Sequence, residues 1–247
     1  LVVDGHTGFI GGNNLGEEYL DYRDTHLRIK GPAAQHIQLS FAEDWYWATD
    51  ELLSVSAEIT PAEESDQAVA IVNTGPSDTL SNCSILFSTL ISQARTRLWI
   101  TSPYFVPNNA MVVALQAAAL RGVDVRIILP DEADQVLVEL ASFTYYDDML
   151  SNGVRLFRYR EHFMHQKVIL VDETVAGIGT VNLDNRSLYL NFEATALVAD
   201  AGFIKQVEAM LIEDLDNSTP VLCEHYDSKP LPYRIATRIA RLASPLL

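Results

Sequence analysis

His165 and Lys167 stand two positions apart in "HQKVILVD", followed by Asp172 and, after a hydrophobic run ending in glycine, by Thr180 and Asn182. Residues i and i+2 of an extended strand project from one face, so this spacing delivers an imidazole and an ammonium side by side. The pair makes a poor metal site and a good phosphate site. Lysine neutralises non-bridging oxygens while the imidazole attacks phosphorus or protonates a leaving group. Asn182, carried by the turn Gly179-Thr180-Val181, adds a neutral hydrogen bond to the same oxygens. Each residue alone would more often be a solvated strand end; the joint spacing carries the reading.

Half of that spacing recurs. In "VVDGHTGFIGGNN", Gly11 lies seven residues after Asp4 and Asn14 ten after it; in "LVDETVAGIGTVN", Gly179 lies seven after Asp172 and Asn182 ten after it. An acidic residue follows each asparagine, Asp24 ten positions on and Glu193 eleven. A duplicated motif of this kind predicts two half-sites facing each other across a pseudo-twofold.

The elements that must position these residues alternate. Strands are expected at "AVAIVNT", "RLWITS", "VDVRIILP", "VRLFRY", "KVILVD", "VAGIG" and "FEATALVA", with helices over 78 to 95, 108 to 121, 133 to 151 and 201 to 215. That order predicts an α/β sandwich with a mixed, largely parallel sheet. Before it come short strands ("LVVD", "GFIGG", "THLRIKG") and a helix through "AAQHIQLSFAEDWYWATDELL". The acidic, proline-containing "SAEITPAEESDQ" reads as a linker. The expected organisation is therefore a remnant of a first half at 1–54, a linker at 55–67, and a second half with the full motif at 68–247.

The chain has 247 residues, 17 basic and 33 acidic, for a formal net charge of -16. Such a balance argues against a general nucleic-acid binder, which needs clustered Lys and Arg. Cys83 and Cys223, far apart and without CxxC spacing, give neither a metal site nor a disulfide framework. No apolar run reaches the roughly 18 residues of a membrane span. "PDEAD" at 130–134 resembles a helicase box, but without a phosphate-cradling Gly-rich Lys loop it reads as an acidic helix start. The opening "LVVDG" begins inside a strand pattern, so the chain is expected to be cut from a longer one.

His165-x-Lys167 with Asp172, Gly179, Thr180 and Asn182 resembles the HKD signature, HxKx4Dx6G[ST]xN, of the phospholipase D superfamily, whose members usually carry two copies. Within it, "TSPYFVPNNAMVVALQAAALRGVDVRIILP", "GTVNLDNRSLYLNFE", "VDGHTGFIGGNNLGEEYL" and the ending "RIARLASPLL" resemble bacterial cardiolipin synthases. The resemblance implies a phospholipase D-like α-β-α sandwich of two duplicated halves, the first incomplete here. The histidine and lysine of the first copy would fall before Leu1, leaving Asp4, Gly12 and Asn14. It further implies phosphatidyl transfer between two phosphatidylglycerol molecules through a phosphohistidine, without metal or other cofactor. His165, Lys167, Asp172 and Asp4 would be the catalytic set, His165 as general acid/base; Lys167, Asn182, Asn14 and Thr180 would hold phosphate. Asp24 would orient His165, Glu193 would face the histidine of the other copy, and Tyr104 would line the substrate pocket. The setting implied is the bacterial cytoplasmic membrane, with anchoring helices upstream of this peripheral portion. A hydrolytic phospholipase D, an HKD nuclease, or a chain inert by itself are the other readings.

The last twenty residues carry Lys229, Arg234, Arg238 and Arg241 without an acidic residue. The three arginines share a helical face beside Ile235, Ile239 and Leu242. Two placements are open for this helix, on an anionic membrane surface or on the protein's own acidic body.

Overall fold

A computed structural model describes residues 1–54, 67–222 and 229–247. The expected linker lies outside the described residues except for Gln67, and Cys223 lies outside them too. β1 (Val2–Val3), β2 (Thr7–Gly11) and β3 (His26–Lys30) form a small antiparallel sheet, followed by α1 (Pro32–Thr49). The remainder runs β4 (Ala68–Thr74), α2 (Asn82–Gln93), β5 (Arg97–Thr101), β6 (Phe105–Val106), α3 (Asn109–Leu120), β7 (Asp124–Pro130), α4 (Val136–Leu150) and β8 (Arg155–Tyr159). It continues with β9 (Val168–Val171), β10 (Val175–Gly179), β11 (Leu183–Asp184), α5 (Asn185–Tyr189), β12 (Glu193–Ala199), α6 (Ala201–Asp216), β13 (Ser218–Pro220) and α7 (Leu231–Arg241).

Eight strands make the main sheet in the order β13-β8-β7-β5-β9-β10-β12-β4. Parallel pairing in it is confined to β5-β7-β8, and every other pair is antiparallel. The sheet is mixed as expected, but the parallel share is smaller than the alternation implied. The reason is local: a three-residue turn joins β9 to β10, and so short a connection permits only an antiparallel hairpin.

Side chains alternate between two cores with the period of a strand. Leu98 and Ile100 of β5, Ile127 and Leu129 of β7, and Ile169 and Val171 of β9 pack on the face covered by α2, α3 and α4. Their neighbours Trp99, Ile128, Val168 and Leu170 pack on the other face with Ile204, Val207 and Leu211 of α6. Strands buried on both sides read as continuous apolar runs. Each such side chain contributes on the order of 1.5–3 kcal/mol of burial. Asn108 and Asp200 start α3 and α6 by accepting from the N–H groups of Met111 and Phe203, both at 2.8 Å.

The duplicated spacing is a duplicated structure. β1-β2 and β9-β10 are antiparallel hairpins, and the turn after each first strand opens with an aspartate in the left-handed region, Asp4 at φ 53° and Asp172 at φ 52°. The third strands pair in corresponding register, Gly11 opposite His26 and Gly179 opposite Thr195. A Cβ on Gly11 would strike the backbone carbonyl of Thr25, and one on Gly179 that of Ala194. Glycine at each motif's end is thus required by close approach of the backbones.

Candidate active site

His165 precedes β9, and its backbone N–H donates to the carbonyl of Arg23 at 2.9 Å. Its Nδ1 lies 2.7 Å from Oδ2 of Asp24, whose side chain is packed against Gly12, where a Cβ would come within 2.7 Å of Oδ1. Because a carboxylate only accepts, Nδ1 carries the proton of the neutral imidazole and Nε2 is left with its lone pair. Lys167 Nζ is 2.9 Å from that Nε2 and donates to the His165 carbonyl at 2.7 Å. The rings of Tyr22 and Phe163 flank the imidazole at centroid distances of 5.6 and 6.1 Å. Lys167 is buried, which drives its ammonium down to about 8, against the pull of Asp24, Glu193, Asp184 and Asp134.

Of the other residues singled out by sequence, two stand elsewhere. Asp172 lies at the far end of β9, seven residues from His165 and so roughly 20 Å away along an extended strand. Burial acts to raise its carboxyl, but hydrogen bonds from the N–H groups of Arg97, Thr96 and Arg95 and the Thr96 hydroxyl hold it below the usual range. It ties the β9-β10 turn to the start of β5 rather than reaching the imidazole. Asp4 holds the matching turn between β1 and β2. The catalytic placement of both is therefore corrected to that of turn residues.

Thr180 is also differently employed. Its hydroxyl donates to Glu193 Oε2 in a short contact, and its oxygen accepts from the Ala194 N–H at 3.0 Å, so it is committed to Glu193 instead of being aimed at phosphate. Burial raises the Glu193 carboxyl above its ordinary value. Glu193 and Thr180 line a cleft of about 250 Å³ together with Trp47, Phe192, Glu43 and Asp78, and no histidine is among the described lining residues. Asn182 stands on the turn leading to α5, its N–H 3.1 Å from the Ser187 hydroxyl oxygen and its Oδ1 buried without a partner among the described residues. Asn14 is exposed, two residues beyond the Gly12 that touches Asp24. Tyr104 is half-buried on the loop after β5; burial raises its hydroxyl, which donates to Asp134 at 2.8 Å.

The residues that lock this geometry were not singled out by sequence. Gln166, fully buried, points away from His165 and Lys167; its Nε2 donates to Asp214 at 2.7 Å and its Oε1 accepts from the Thr25 hydroxyl at 2.8 Å. Asp214, on α6 and 1% exposed, also accepts from the Arg23 guanidinium at 2.8 and 3.2 Å. The Arg23–Asp214–Gln166–Thr25 brace fastens the segment bearing Asp24 to the segment bearing His165. A polar side chain just before an apolar strand, alternating with His165 and Lys167, was the available signal.

The architecture matches solved structures. Over 99% of this chain and 70% of the other, it superposes on phosphatidylserine synthase of Haemophilus influenzae with a TM-score of 0.73 at 15% identity. Over 63% of this chain and 99% of the other, it superposes on Nuc of Salmonella typhimurium, a phospholipase D family member, at 0.54 and 18%. The fold and the histidine-lysine site thus define a chain of phospholipase D type. The profile of the family described as "Cardiolipin synthase, PLD-like domain" matches residues 87–215, and the chain belongs to that family. It is 46% identical to cardiolipin synthase A of Pseudomonas putida and 45% to that of Pseudomonas aeruginosa, covering all of this chain and 53% and 52% of those proteins. The chain spans about half the length of these curated relatives.

Proposed function

We propose that this chain is part of a cardiolipin synthase that moves a phosphatidyl group between two phosphatidylglycerol molecules. Residues 1–54 belong to the first of two phospholipase D-like halves and 68–247 form the second, with 55–67 linking them. His165 acts as general acid/base and the histidine of the other half as nucleophile. That nucleophile forms a P–N bond to the phosphodiester as the P–O bond to glycerol breaks, and imidazolium His165 gives glycerol its proton. His165 then takes the proton of a second phosphatidylglycerol hydroxyl, whose oxygen displaces the imidazole from phosphorus. Lys167 neutralises the phosphate oxygens throughout. Asn182, and Asn14 from the first copy, are assigned to hydrogen-bond the same oxygens, with Tyr104 at the pocket's rim. The setting is an anionic membrane surface at the cytoplasmic membrane; among the described residues no helix is long and apolar enough to cross a membrane.

The observation that carries this reading is the Asp24–His165–Lys167 cluster, in which a carboxylate fixes the tautomer that leaves Nε2 ready for proton transfer. The net charge of -16 weighs against a nucleic-acid substrate. The test is lipid analysis after incubating phosphatidylglycerol with this chain expressed with its upstream coding sequence. Cardiolipin and glycerol are expected, and both are lost in His165→Ala. Phosphatidic acid as the sole product would assign a hydrolase, and cardiolipin formation untouched by the substitution would remove His165 from the mechanism.

A further inference from the structure

Residues 229–247 contain Lys229, Arg234, Arg238 and Arg241 and no acidic residue, in a chain of net charge -16. The structure settles which face of α7 meets the protein. Thr237 and Ala240 are buried, Tyr233 meets the edge of Phe143 of α4 at 5.7 Å between centroids, and Arg241 donates to the Thr144 carbonyl at 3.0 Å while lying over the Tyr145 ring. At about 100° per residue, the opposite side carries Leu231, Ile235, Ile239 and Leu242 within about 80° of one another, with Arg234 and Arg238 along one flank and Arg241 turned from it onto α4. These apolar residues are 68%, 51%, 63% and 81% exposed, and Leu246 in the turn beyond is 69% exposed. Docking on the body therefore consumes the small and aromatic residues of α7 and leaves its aliphatic stripe in solvent.

The stripe is also tied to the motif. The carbonyl of Ser244 accepts from Asn185 Nδ2 at 2.8 Å and that of Leu247 from the Arg186 N–H at 3.0 Å. Asn185 and Arg186 begin α5, three and four residues after Asn182.

We propose that the aliphatic stripe of α7, with its arginine flank, seats this chain on an anionic lipid surface and holds the Asn182–α5 segment toward it. The inference rests on the phosphatidyl-lipid reading of the site and adds the contact surface to it. Apolar side chains beside guanidinium groups match the boundary between acyl chains and anionic headgroups. The same charge distribution favours orientation, because the chain as a whole is acidic while the surface attracts this basic segment. A protein groove would cover the stripe but would not call for cations along its rim.

The test is cosedimentation of the chain with vesicles of equal parts phosphatidylglycerol and phosphatidylcholine, and of phosphatidylcholine alone. Ile235→Ser/Ile239→Ser and Arg238→Glu lie on the solvent side of α7, and unchanged circular dichroism verifies their folds. Binding to the anionic vesicles is expected to fall at least about tenfold for the isoleucine pair and about fivefold for Arg238→Glu, to weaken in high salt, and to be slight on phosphatidylcholine. The proposal is overturned if the parent chain does not sediment or if the isoleucine pair binds as well as the parent. It is overturned equally if light scattering shows that the stripe instead closes a dimer dispersed by the same pair. Transfer by the chain expressed with its upstream coding sequence, measured in detergent micelles, needs no docking: its absence with vesicle binding intact would indict the site, and its presence with binding absent would indict the stripe.

Discussion

Asp24 and His165 are 141 positions apart in sequence, yet Oδ2 of one lies 2.7 Å from Nδ1 of the other. One follows the N-terminal copy of the motif and the other opens the second copy, so the second copy's imidazole is oriented by a residue from outside it. Asp24→Asn keeps the size and loses the acceptor-only character, and the imidazole is then free to exchange tautomers. Nitrogen-15 spectra of the His165 ring are expected to pass from a single Nδ1–H form to a mixture. Transfer by the two-motif protein should fall roughly a hundred- to ten-thousandfold. Unchanged spectra would remove Asp24 from its orienting role.

Lys167 gives the pH dependence its sign. With its ammonium driven down to about 8, phosphate binding is expected to be strong below that pH and to fade as pH rises through it. Calorimetric titration with inorganic phosphate reads this directly, and Lys167→Gln should bind weakly with a flat profile across the same window. Since the folded value lies below the ordinary 10.5, the unfolded chain binds the extra proton between about 8 and 10.5, and stability increases with pH across that range.

Glu193 works in the opposite direction. Burial raises its folded value above the ordinary 4.5, so between the two values the native chain holds the proton and the unfolded chain has released it. Its contribution to stability is fully present below pH 4.5 and is lost as pH rises through the folded value. Thermal unfolding followed from pH 4 to 7 should therefore fall less steeply for Glu193→Gln than for the parent. Identical slopes would show that the carboxyl does not change its proton affinity on folding.

The brace around Asp214 is expected to dominate the stability of this region. Asp214→Ala leaves the buried Gln166 amide without its acceptor and Arg23, a quarter exposed, with only the Asp24 carbonyl, so the cost is set at the low end of that for breaking a buried ion pair, on the order of 3 kcal/mol. Urea denaturation should show a loss of that order. Asp214→Asn, which keeps one acceptor oxygen, should lose less. A cost below about 1 kcal/mol for Asp214→Ala would mean that the pair is not structurally coupled.

The strand pattern was plain even at the sheet's edge: "AVAIVNT" is β4 residue for residue although most of it is exposed or half-buried, and the helices at 109–120 and 201–216 fall within a residue or so of their expected ends. The His165-x-Lys167 pairing was legible because two-residue spacing in an extended segment, here the one leading into β9, has only one geometric meaning. The two aspartates were not, since a carboxylate at a strand's end is equally suited to a site and to a turn, and only the left-handed backbone at Asp4 and Asp172 separates these. Thr180 was misjudged because spacing does not reveal which neighbour a hydroxyl will satisfy. The brace depends on Arg23 and Asp214, 191 positions apart, whose encounter no local pattern announces. For α7 the pattern showed an amphipathic helix with two places to lie, and packing against α4 decided which side is taken.

The long span between Asp24 and His165 also sets a schedule for biogenesis. A loop of that length is closed late, after the hairpins and helices that form from nearby residues. While the chain is still being made or is partly folded, the imidazole has no carboxylate to hold it and the lysine is not yet desolvated. The oriented imidazole is thus withheld from every incomplete form, and docking of the N-terminal sheet completes it.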